Sequence, residues 1–357
     1  MKIMLEFIKG KELSRMFFDK VVKNLLESYF PTLKYASCLI WKWSEVLWFD
    51  TEVSTDHDWW PRLILFVEEK DYHLKSDIVE ILSIKLPSTF KWYSTHFGVT
   101  DENWKWVVSD VSRVHRIQVF TIRLFFKDYI DFDDETKTLD WLTISEQKLR
   151  TIKDAEIFHD EIGFNIVRQK FDYYPHDVWL YLLSSQWQKI GQEEQFMWRS
   201  WDVGDELGSK IIATRIVHSL MRLCFLMEKQ YAPYSKWFGT AFLKLESAKK
   251  LAPILDNTLV ASNWKERQEY LSQAYEYVAQ MHNALQITES ISTNVSEFYD
   301  RPYLVIHGDM FAQKIREQIQ DRDISNLKPI GSINQITHSV DILEDNDLLK
   351  KAKNFYT

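Results

Sequence analysis

Short apolar runs that suit buried β-strands lie within the first 126 residues of this 357-residue sequence. Runs at 35–41 and 61–69 are followed by one at 115–126, which alternates apolar with other side chains and then leads into a helical pattern. Helical spacing of apolar residues fills 12–30 and 71–86, and a proline ends each pattern. This interleaving of three strands with helices predicts a small mixed α/β domain.

Helical periodicity dominates the remaining two thirds of the sequence. The acidic, polar segment 127–140 separates the two parts, so we expect an α/β domain over 1–135 and a helical domain over 136–357. The predicted fold class is α+β, a small mixed-sheet domain followed by a larger all-helical one. Individual helices are predicted near 145–153, 165–171, 176–198, 203–230, 235–246, 265–285 and 310–320.

Composition and charge exclude several classes of protein. A formal net charge of −8 provides no general basic field for a nucleic-acid backbone. Two cysteines, Cys38 and Cys224, exclude a disulfide framework and a thiolate zinc site, and we expect both in the core. The charged N-terminal sequence does not resemble a signal peptide, and no apolar stretch reaches the ~18 residues that cross a bilayer. We therefore expect a cytoplasmic protein without a membrane partner.

Asp56 and Asp58 form the most informative pattern, within the segment WSEVLWFDTEVSTDHDWWP (43–61). On a β-strand, carboxylates separated by one residue point to the same side, close enough to share a divalent cation, while His57 would point to the opposite side. Mg²⁺ prefers hard oxygen ligands and often joins carboxylates to substrate phosphates. Because such a pair is also common in solvated turns, its context has to decide between a metal site and a turn.

That context resembles the signature of the nucleotidyltransferase superfamily. Ser44 lies twelve positions before Asp56 and follows the apolar run at 35–41. In that superfamily a Gly-Ser turn leaves a strand and cradles the nucleotide triphosphate, and two carboxylates on the next strand bind Mg²⁺. The resemblance implies Mg²⁺ as the cofactor, held by Asp56 and Asp58, an NTP as substrate, and Ser44 as a phosphate ligand.

Longer segments resemble one bacterial family, known mainly as a domain of unknown function with a nucleotidyltransferase-like N-terminal domain and a helical C-terminal domain. The resemblance covers most of the chain and implies that the helical domain selects the acceptor. The segments are SEVLWFDTEVSTDHDWWPR (44–62), LDWLTISEQKL (139–149), YYPHDVWLYLLSSQWQKIGQEEQF (173–196), DVGDELGSK (202–210), QYAPYSKWFGTAF (230–242) and PIGSINQITHSVDIL (329–343).

Tryptophan replaces glycine at several positions of this family's pattern. The chain contains 9 Gly and 15 Trp, and Trp41, Trp43 and Trp48 stand where the turn before the acidic pair has glycines. Glycine permits positive φ and close approach of the backbone to phosphate, whereas an indole would fill that space. The aromatic run also suits a platform for a nucleobase, although core or pocket filling is the more common role. Glycines are replaced in the same way at Trp60, Trp198 and Trp201.

Gln118, on the strand predicted within 115–126, corresponds to the third carboxylate of the superfamily's metal site. We include Gln118 with Asp56 and Asp58 among the catalytic candidates, but its amide carries no charge and cannot act as a base. In a different alignment, Glu102 or Asp110 in the preceding loop would supply the missing carboxylate.

Further polar residues are candidates for contacts with a substrate. Positive side chains at Arg62 and Lys236 are candidate phosphate ligands for the nucleotide, and Arg116 is another. An acidic cluster before a helix is expected either to cap that helix or to hold an acceptor; it comprises Asp202, Asp205 and Glu206.

Two hypotheses follow from these residues. In the first, the protein is an Mg²⁺-dependent nucleotidyltransferase that moves a nucleoside monophosphate from an NTP to an unknown hydroxyl or amine acceptor. In the second, it is a degenerate, non-catalytic member of the fold that binds a ligand or a protein partner. The two aspartates favour transfer, whereas Trp43 and Gln118 favour binding without transfer.

Overall fold

The structure is a computed structural model. It describes residues 7–41, 44–56, 59–99, 106–108 and 113–356. Residues 56, 99 and 106–108 are described by their backbone alone. The chain divides into two compact units. Met1–Glu135 and Lys148–Asp172 form the first unit, and Thr136–Gln147 and Tyr173–Thr357 form the second. The fold class is α+β, as predicted, because a small mixed sheet is followed by a larger helical region.

The first unit, called the α/β unit below, is built on a mixed four-stranded sheet in the order β7-β2-β1-β8. Strand β1 is antiparallel to β2 and β8, whereas β2 and β7 are parallel, with Ile64 beside Gln118. Two short antiparallel pairs, β3 with β4 and β5 with β6, lie outside this sheet. The strands are β1 (Tyr35–Leu39), β2 (Leu63–Val67), β3 (Thr89–Phe90), β4 (Tyr93–Ser94), β5 (Phe97–Val99), β6 (Trp106–Val108), β7 (Ile117–Thr121) and β8 (Glu156–Asp160).

Helices of the α/β unit pack on this sheet. A π-helical turn (Phe18–Val22) joins the first two helices, and Phe17, Phe18 and Leu26 from this region enter one buried cluster with Leu65 and Val119 from the strands. Such burial of apolar side chains on a sheet face is the main source of stability for the unit. The helices are α1 (Gly10–Phe17), α2 (Lys23–Tyr29), α3 (Lys75–Lys85), α4 (Ile122–Ile130), α5 (Glu146–Lys153) and α6 (Phe164–Arg168). The first two residues of α5, Glu146 and Gln147, belong to the second unit.

The second unit, called the helical unit, contains one β-hairpin, β9 (Ser296–Phe298) with β10 (Arg301–Val305), among helices. Short 3₁₀ segments, among them Thr138–Thr143, connect the helices. The helices are α7 (His176–Glu193), α8 (Phe196–Asp202), α9 (Glu206–Met227), α10 (Ser235–Phe242), α11 (Ala248–Val260), α12 (Trp264–Ala284), α13 (Gly308–Arg316), α14 (Arg322–Ser325), α15 (Ile333–Ile336), α16 (Val340–Glu344) and α17 (Asn346–Ala352).

Helix α7 is the centre of the helical unit. Trp187 is fully buried and stacks on Phe311 of α13, with 4.2 Å between ring centroids. A Cβ added at Gly191 would lie 2.6 Å from the backbone nitrogen of Asp309, so α7 and α13 cross at a distance that only glycine allows. Cys224 and the α/β unit's Cys38 are both buried and free, as expected for core residues.

The structure corrects three expectations about secondary structure. Strand β8 and the β9–β10 hairpin lie in a region that was expected to be almost entirely helical. The helix predicted at 71–86 begins later, at Lys75, after a 3₁₀ segment (Glu69–Leu74). Helices α11 and α14 to α17 were not predicted. Within the described residues, no helix is both long and apolar enough to cross a membrane.

Candidate functional site

The turn that follows β1 carries Ser44, the predicted phosphate ligand. The Ser44 carbonyl accepts hydrogen bonds from the backbone N–H groups of Leu47 (3.2 Å) and Phe49 (3.0 Å), which closes a compact turn over 44–49. Trp48 within it has a φ of 60°, a left-handed conformation that favours glycine. Trp48 therefore occupies a backbone conformation that glycine adopts without strain.

Arg62, the second predicted phosphate ligand, forms a buried ion pair with Glu45. Both residues are almost completely buried, with exposed fractions of 6% for Arg62 and 3% for Glu45. Burial, followed by the like charge of Arg116, holds the pKa of Arg62 well below its ordinary value. We call residues 44–62, which include Asp50, Asp56 and Asp58, the acidic segment. Glu45 lies at its start and Arg62 at its end, so the ion pair joins its two ends.

Asp50 also holds the acidic segment closed, through buried contacts of its carboxylate. Its Oδ2 accepts hydrogen bonds from the Gly10 backbone N–H (2.7 Å) and from the Trp59 indole Nε1 (3.1 Å). The ammonium of Lys9 lies 3.6 Å from the other carboxylate oxygen. A Cβ at Gly10 would lie 2.6 Å from the Cβ of Glu45, so the start of α1 packs directly against this closure.

Asp56 lies in a 3₁₀ segment, Glu52–Asp56, and the prediction that it lies on a strand is wrong. The local side chains explain the difference. Ser54 Oγ accepts a hydrogen bond from the Thr51 backbone N–H (3.0 Å), and Thr55 Oγ1 donates one to the Glu52 carbonyl (2.7 Å). Both hydrogen bonds favour a turn over extended backbone.

Other parts of the predicted metal site fall outside the described residues. These are Asp58, His57 and the alternative carboxylates Glu102 and Asp110, and the side chain of Asp56 is likewise not described. Within the part of the chain that is described, no three His, Cys, Asp or Glu side chains come together as a metal site would require. Two carboxylates remain a donor set that suits Mg²⁺ by their chemistry.

Gln118 lies on β7 as predicted, with its side chain exposed. Its parallel register places it beside Ile64 of β2, two residues after Arg62. The structure thus puts the amide at the sheet end where the acidic segment enters β2.

The other side chains that were predicted to contact a substrate each have different surroundings. The ammonium of Lys236 is on an exposed part of α10, 5.1 Å from the centre of the Trp237 ring. The guanidinium of Arg116 lies 5.9 Å from the centre of the Trp60 ring. Asp205 caps α9, since its side chain accepts from the Gly208 backbone N–H at 2.7 Å, which agrees with a capping role.

Two of the tryptophans at glycine positions of the family pattern have different surroundings. Trp41 stacks on Tyr129, with 5.3 Å between ring centroids and 20° between ring planes, and also contacts Phe125. Trp48 is 50% exposed, and the ammonium of Lys11 lies 5.1 Å from the centre of its ring. Trp41 therefore packs against aromatic side chains of α4, and Trp43 lies outside the described residues.

The helical unit contains a cavity of about 610 Å³ that the sequence did not reveal. We call it the cationic cavity, because three positive side chains line it: Lys189 of α7, and Arg215 and Arg222 of α9. The other lining residues are Thr214, His218, Ser219, Pro233, Tyr234, Ser235, Phe238, Asn334, Ile336, His338 and Leu343.

Arg222 of the cavity lining is held from behind by a buried ion pair with Glu146. The Nη2 of Arg222 donates to Oε2 of Glu146 at 2.6 Å, and the Tyr174 hydroxyl reaches the other oxygen of Glu146 at 3.4 Å. The Glu146 backbone N–H donates to Oδ1 of Asn334 at 2.9 Å. Residues far apart in the sequence therefore meet behind the cavity lining at Arg222.

Comparison with known proteins gives a partial match. Residues 141–238 match the family model for the domain of unknown function DUF4037. No curated protein matches the chain significantly. Among solved structures, the crystal structure of a nucleotidyltransferase-like protein from Exiguobacterium sibiricum 255-15 is similar over 78% of each chain, with 9% identity and a TM-score of 0.34. Similarity at that score does not establish a shared fold.

The segment that matches the family model contains most of the cationic cavity. All three cations, His218 and Phe238 fall within residues 141–238. Thr214, Ser219 and Pro233 to Ser235 lie there as well, and the remaining four lining residues come from the C-terminal segment 329–343. Lys189 and Phe238 lie in segments quoted for the family resemblance, whereas Arg215, His218 and Arg222 lie between those segments, so no sequence motif marked the cavity.

Proposed function

We propose that the protein is an Mg²⁺-dependent nucleotidyltransferase that moves a nucleoside monophosphate from an NTP to a hydroxyl or amine acceptor. The observation that supports this most is the double closure of segment 44–62 by the Glu45–Arg62 ion pair and the Asp50–Trp59 hydrogen bond. Trp59 directly follows Asp58, and Glu45 directly follows Ser44. These two contacts hold the ends of the acidic segment together. In the proposed site, the phosphate turn at one end and the two carboxylates near the other end have to act on the same nucleotide.

Individual residues take the following roles in this proposal. Asp56 and Asp58 would hold Mg²⁺, which when bound neutralises charge on the phosphates. Ser44 would contact the triphosphate through its turn. Arg62 would hold the segment closed through Glu45 instead of contacting phosphate, and Lys236 remains a proposed phosphate ligand.

Binding without transfer is the second candidate. Gln118 favours it, because an uncharged amide at the sheet end neither strengthens a metal site nor accepts a proton from a nucleophile. Trp43 favours it as well, because an indole in place of a glycine of the phosphate turn would fill space meant for phosphate.

Calorimetry with each NTP and Mg²⁺ tests the nucleotide site. We expect the natural protein to bind at least one NTP, and the double variant Asp56→Asn, Asp58→Asn to lose this binding without a fall in melting temperature. The melting temperature is retained because removing two close like charges relieves repulsion. The double variant Asp19→Asn, Asp77→Asn removes two exposed acids of the same unit and serves as the matched control.

Other outcomes would contradict the proposal in different ways. Unfolding of the Asp56→Asn, Asp58→Asn variant would show that the pair is structural. If the natural protein failed to bind any NTP at millimolar concentration, it would have no nucleotide site and the proposal would be wrong. Tight NTP binding without transfer of labelled nucleotide to a library of acceptors would favour the second candidate, and transfer gained by Gln118→Glu would identify the lost carboxylate.

A further inference from the structure

The cationic cavity has no role in the proposed transfer, and none of the residues assigned to nucleotide or metal above lines it. Its volume of about 610 Å³ suits a small organic molecule. Among the described residues that line it, three are cations and none is an acid. The cavity therefore presents positive charge to whatever enters it.

Neighbouring carboxylates balance only part of this charge. Glu146 pairs with Arg222 and Glu193 pairs with Arg215, each from outside the lining. The ammonium of Lys189 instead donates to a backbone carbonyl, that of Gln335, at 3.4 Å. Burial, and then the charges of Arg222 and Arg215, lower the pKa of Lys189, although Glu193 opposes this. An anion in the cavity would stabilise these three cations.

Arg222 supplies a second, independent sign of a missing ligand. It is 6% exposed, and its Nε is buried without a hydrogen-bond partner among the described residues. A buried donor left unsatisfied is costly, so such groups usually meet a ligand or ordered water. Arg222 thus retains donor capacity at the wall of the cavity after pairing with Glu146.

An aromatic surface lies in the same cavity. His218 stacks on Phe238 with 4.7 Å between ring centroids, and His338 meets His218 edge-on at 4.9 Å. Burial, then the charges of Arg222, His338 and Lys189, lower the pKa of His218 to about 3. The imidazole is therefore neutral at neutral pH, and the stacked pair can receive a planar group without adding charge. Apolar side chains complete this side, namely Pro233, Ile336 and Leu343.

We propose that the cationic cavity binds a small organic anion in which a planar ring carries a phosphate or carboxylate group. The acid group contacts the ammonium of Lys189 and the guanidinium groups of Arg215 and Arg222. A planar guanidinium matches both kinds of oxyanion. The ring packs against His218 and Phe238. The site is independent of nucleotidyl transfer, so either proposal can fail while the other stands.

Calorimetry on the full chain tests this site with phenyl phosphate and benzoate as probes, and with benzyl alcohol as the neutral control. We expect one or both anions to bind and benzyl alcohol to bind at least about tenfold more weakly, since a charged contact contributes ~1.4 kcal/mol or more. Inorganic phosphate, which lacks the ring, should also bind more weakly. Affinity should fall as salt is raised.

Variants place the binding at the cavity. The double variant Lys189→Gln, Arg215→Gln should weaken anion binding by at least about tenfold. Lys210→Gln, which removes an exposed cation from the same helix α9, should change it by less than about twofold. Phe238→Leu should reduce the preference for phenyl phosphate over inorganic phosphate. Circular dichroism confirms that each variant is folded.

Three results would overturn the proposal. The natural protein could fail to bind both anions at roughly 10 mM, which is weak even for a fragment-sized ligand. Benzyl alcohol could bind as well as the anions. Anion affinity could be unchanged in a folded Lys189→Gln, Arg215→Gln protein. Because Asp56→Asn, Asp58→Asn leaves the cavity intact, anion binding should persist in that variant even if nucleotide binding is lost.

Discussion

Replacing Glu45 by Gln, Arg62 by Met, and both together measures the buried ion pair that joins the ends of the acidic segment. With exposed fractions of 3% and 6%, solvent screens neither charge effectively. Removing one partner leaves the other charge buried and uncompensated, so each single variant should lose ~3–5 kcal/mol of unfolding free energy. The double variant should lose much less than the sum, because it removes both charges.

Urea unfolding at neutral pH provides the four free energies of this cycle. An exposed pair, Lys23 with Glu27 at 3.9 Å, serves as the control, with side chains 42% and 59% exposed. The corresponding cycle of Lys23→Gln and Glu27→Gln should show a coupling below about 0.5 kcal/mol. If the Glu45 and Arg62 variants were additive within about 0.5 kcal/mol, the pair would not hold the segment closed.

Further predictions concern single side chains. Trp41→Gly should lower the free energy of unfolding by roughly 1–3 kcal/mol, because its half-buried indole stacks on Tyr129 and glycine adds backbone entropy. Trp48→Gly should be nearly neutral, because glycine suits its φ of 60°. Thermal unfolding compares the two variants. Burial lowers the pKa of His218 to about 3. Its contribution to stability is therefore present above pH 6.5 and is lost as the pH falls towards 3. In urea unfolding, His218→Gln should reduce this fall in unfolding free energy at low pH. Glu194 directly follows α7 and is buried, which raises its pKa to about 7. Its contribution to stability is present below pH 4.5 and is lost as the pH rises through 7, so Glu194→Gln should remove that loss in urea unfolding.

Strands with continuous apolar runs were predictable from the sequence. Strands β1 and β2 are buried at every position, and β7 alternates buried with less buried residues, so each leaves a clear pattern. Strand β8 does not, because its sequence EIFHD is half-buried along its length at the edge of the sheet. The inclusion of Lys148–Asp172 in the α/β unit also left no sequence pattern, because it depends on packing with distant strands.

The two candidate sites differed in how far the sequence revealed them. A compact motif marked Ser44, Asp56 and Asp58, yet its strand interpretation failed for Asp56 because Ser and Thr side chains bond to local backbone. The cationic cavity left no motif, since its residues come from α7, α9, α10 and the C-terminal segment. Only the fold brings Lys189, Arg222 and His338 to one cavity.

The position of a bound metal and nucleotide tests the central proposal most directly. Crystals grown with Mn²⁺ and a non-hydrolysable analogue of the NTP that binds best in calorimetry would be measured for anomalous scattering. We predict an Mn²⁺ peak between the carboxylates of Asp56 and Asp58, with the triphosphate beside Ser44. Mn²⁺ and nucleotide bound elsewhere on the protein, with the Asp56–Asp58 segment making no contact to either, would contradict it.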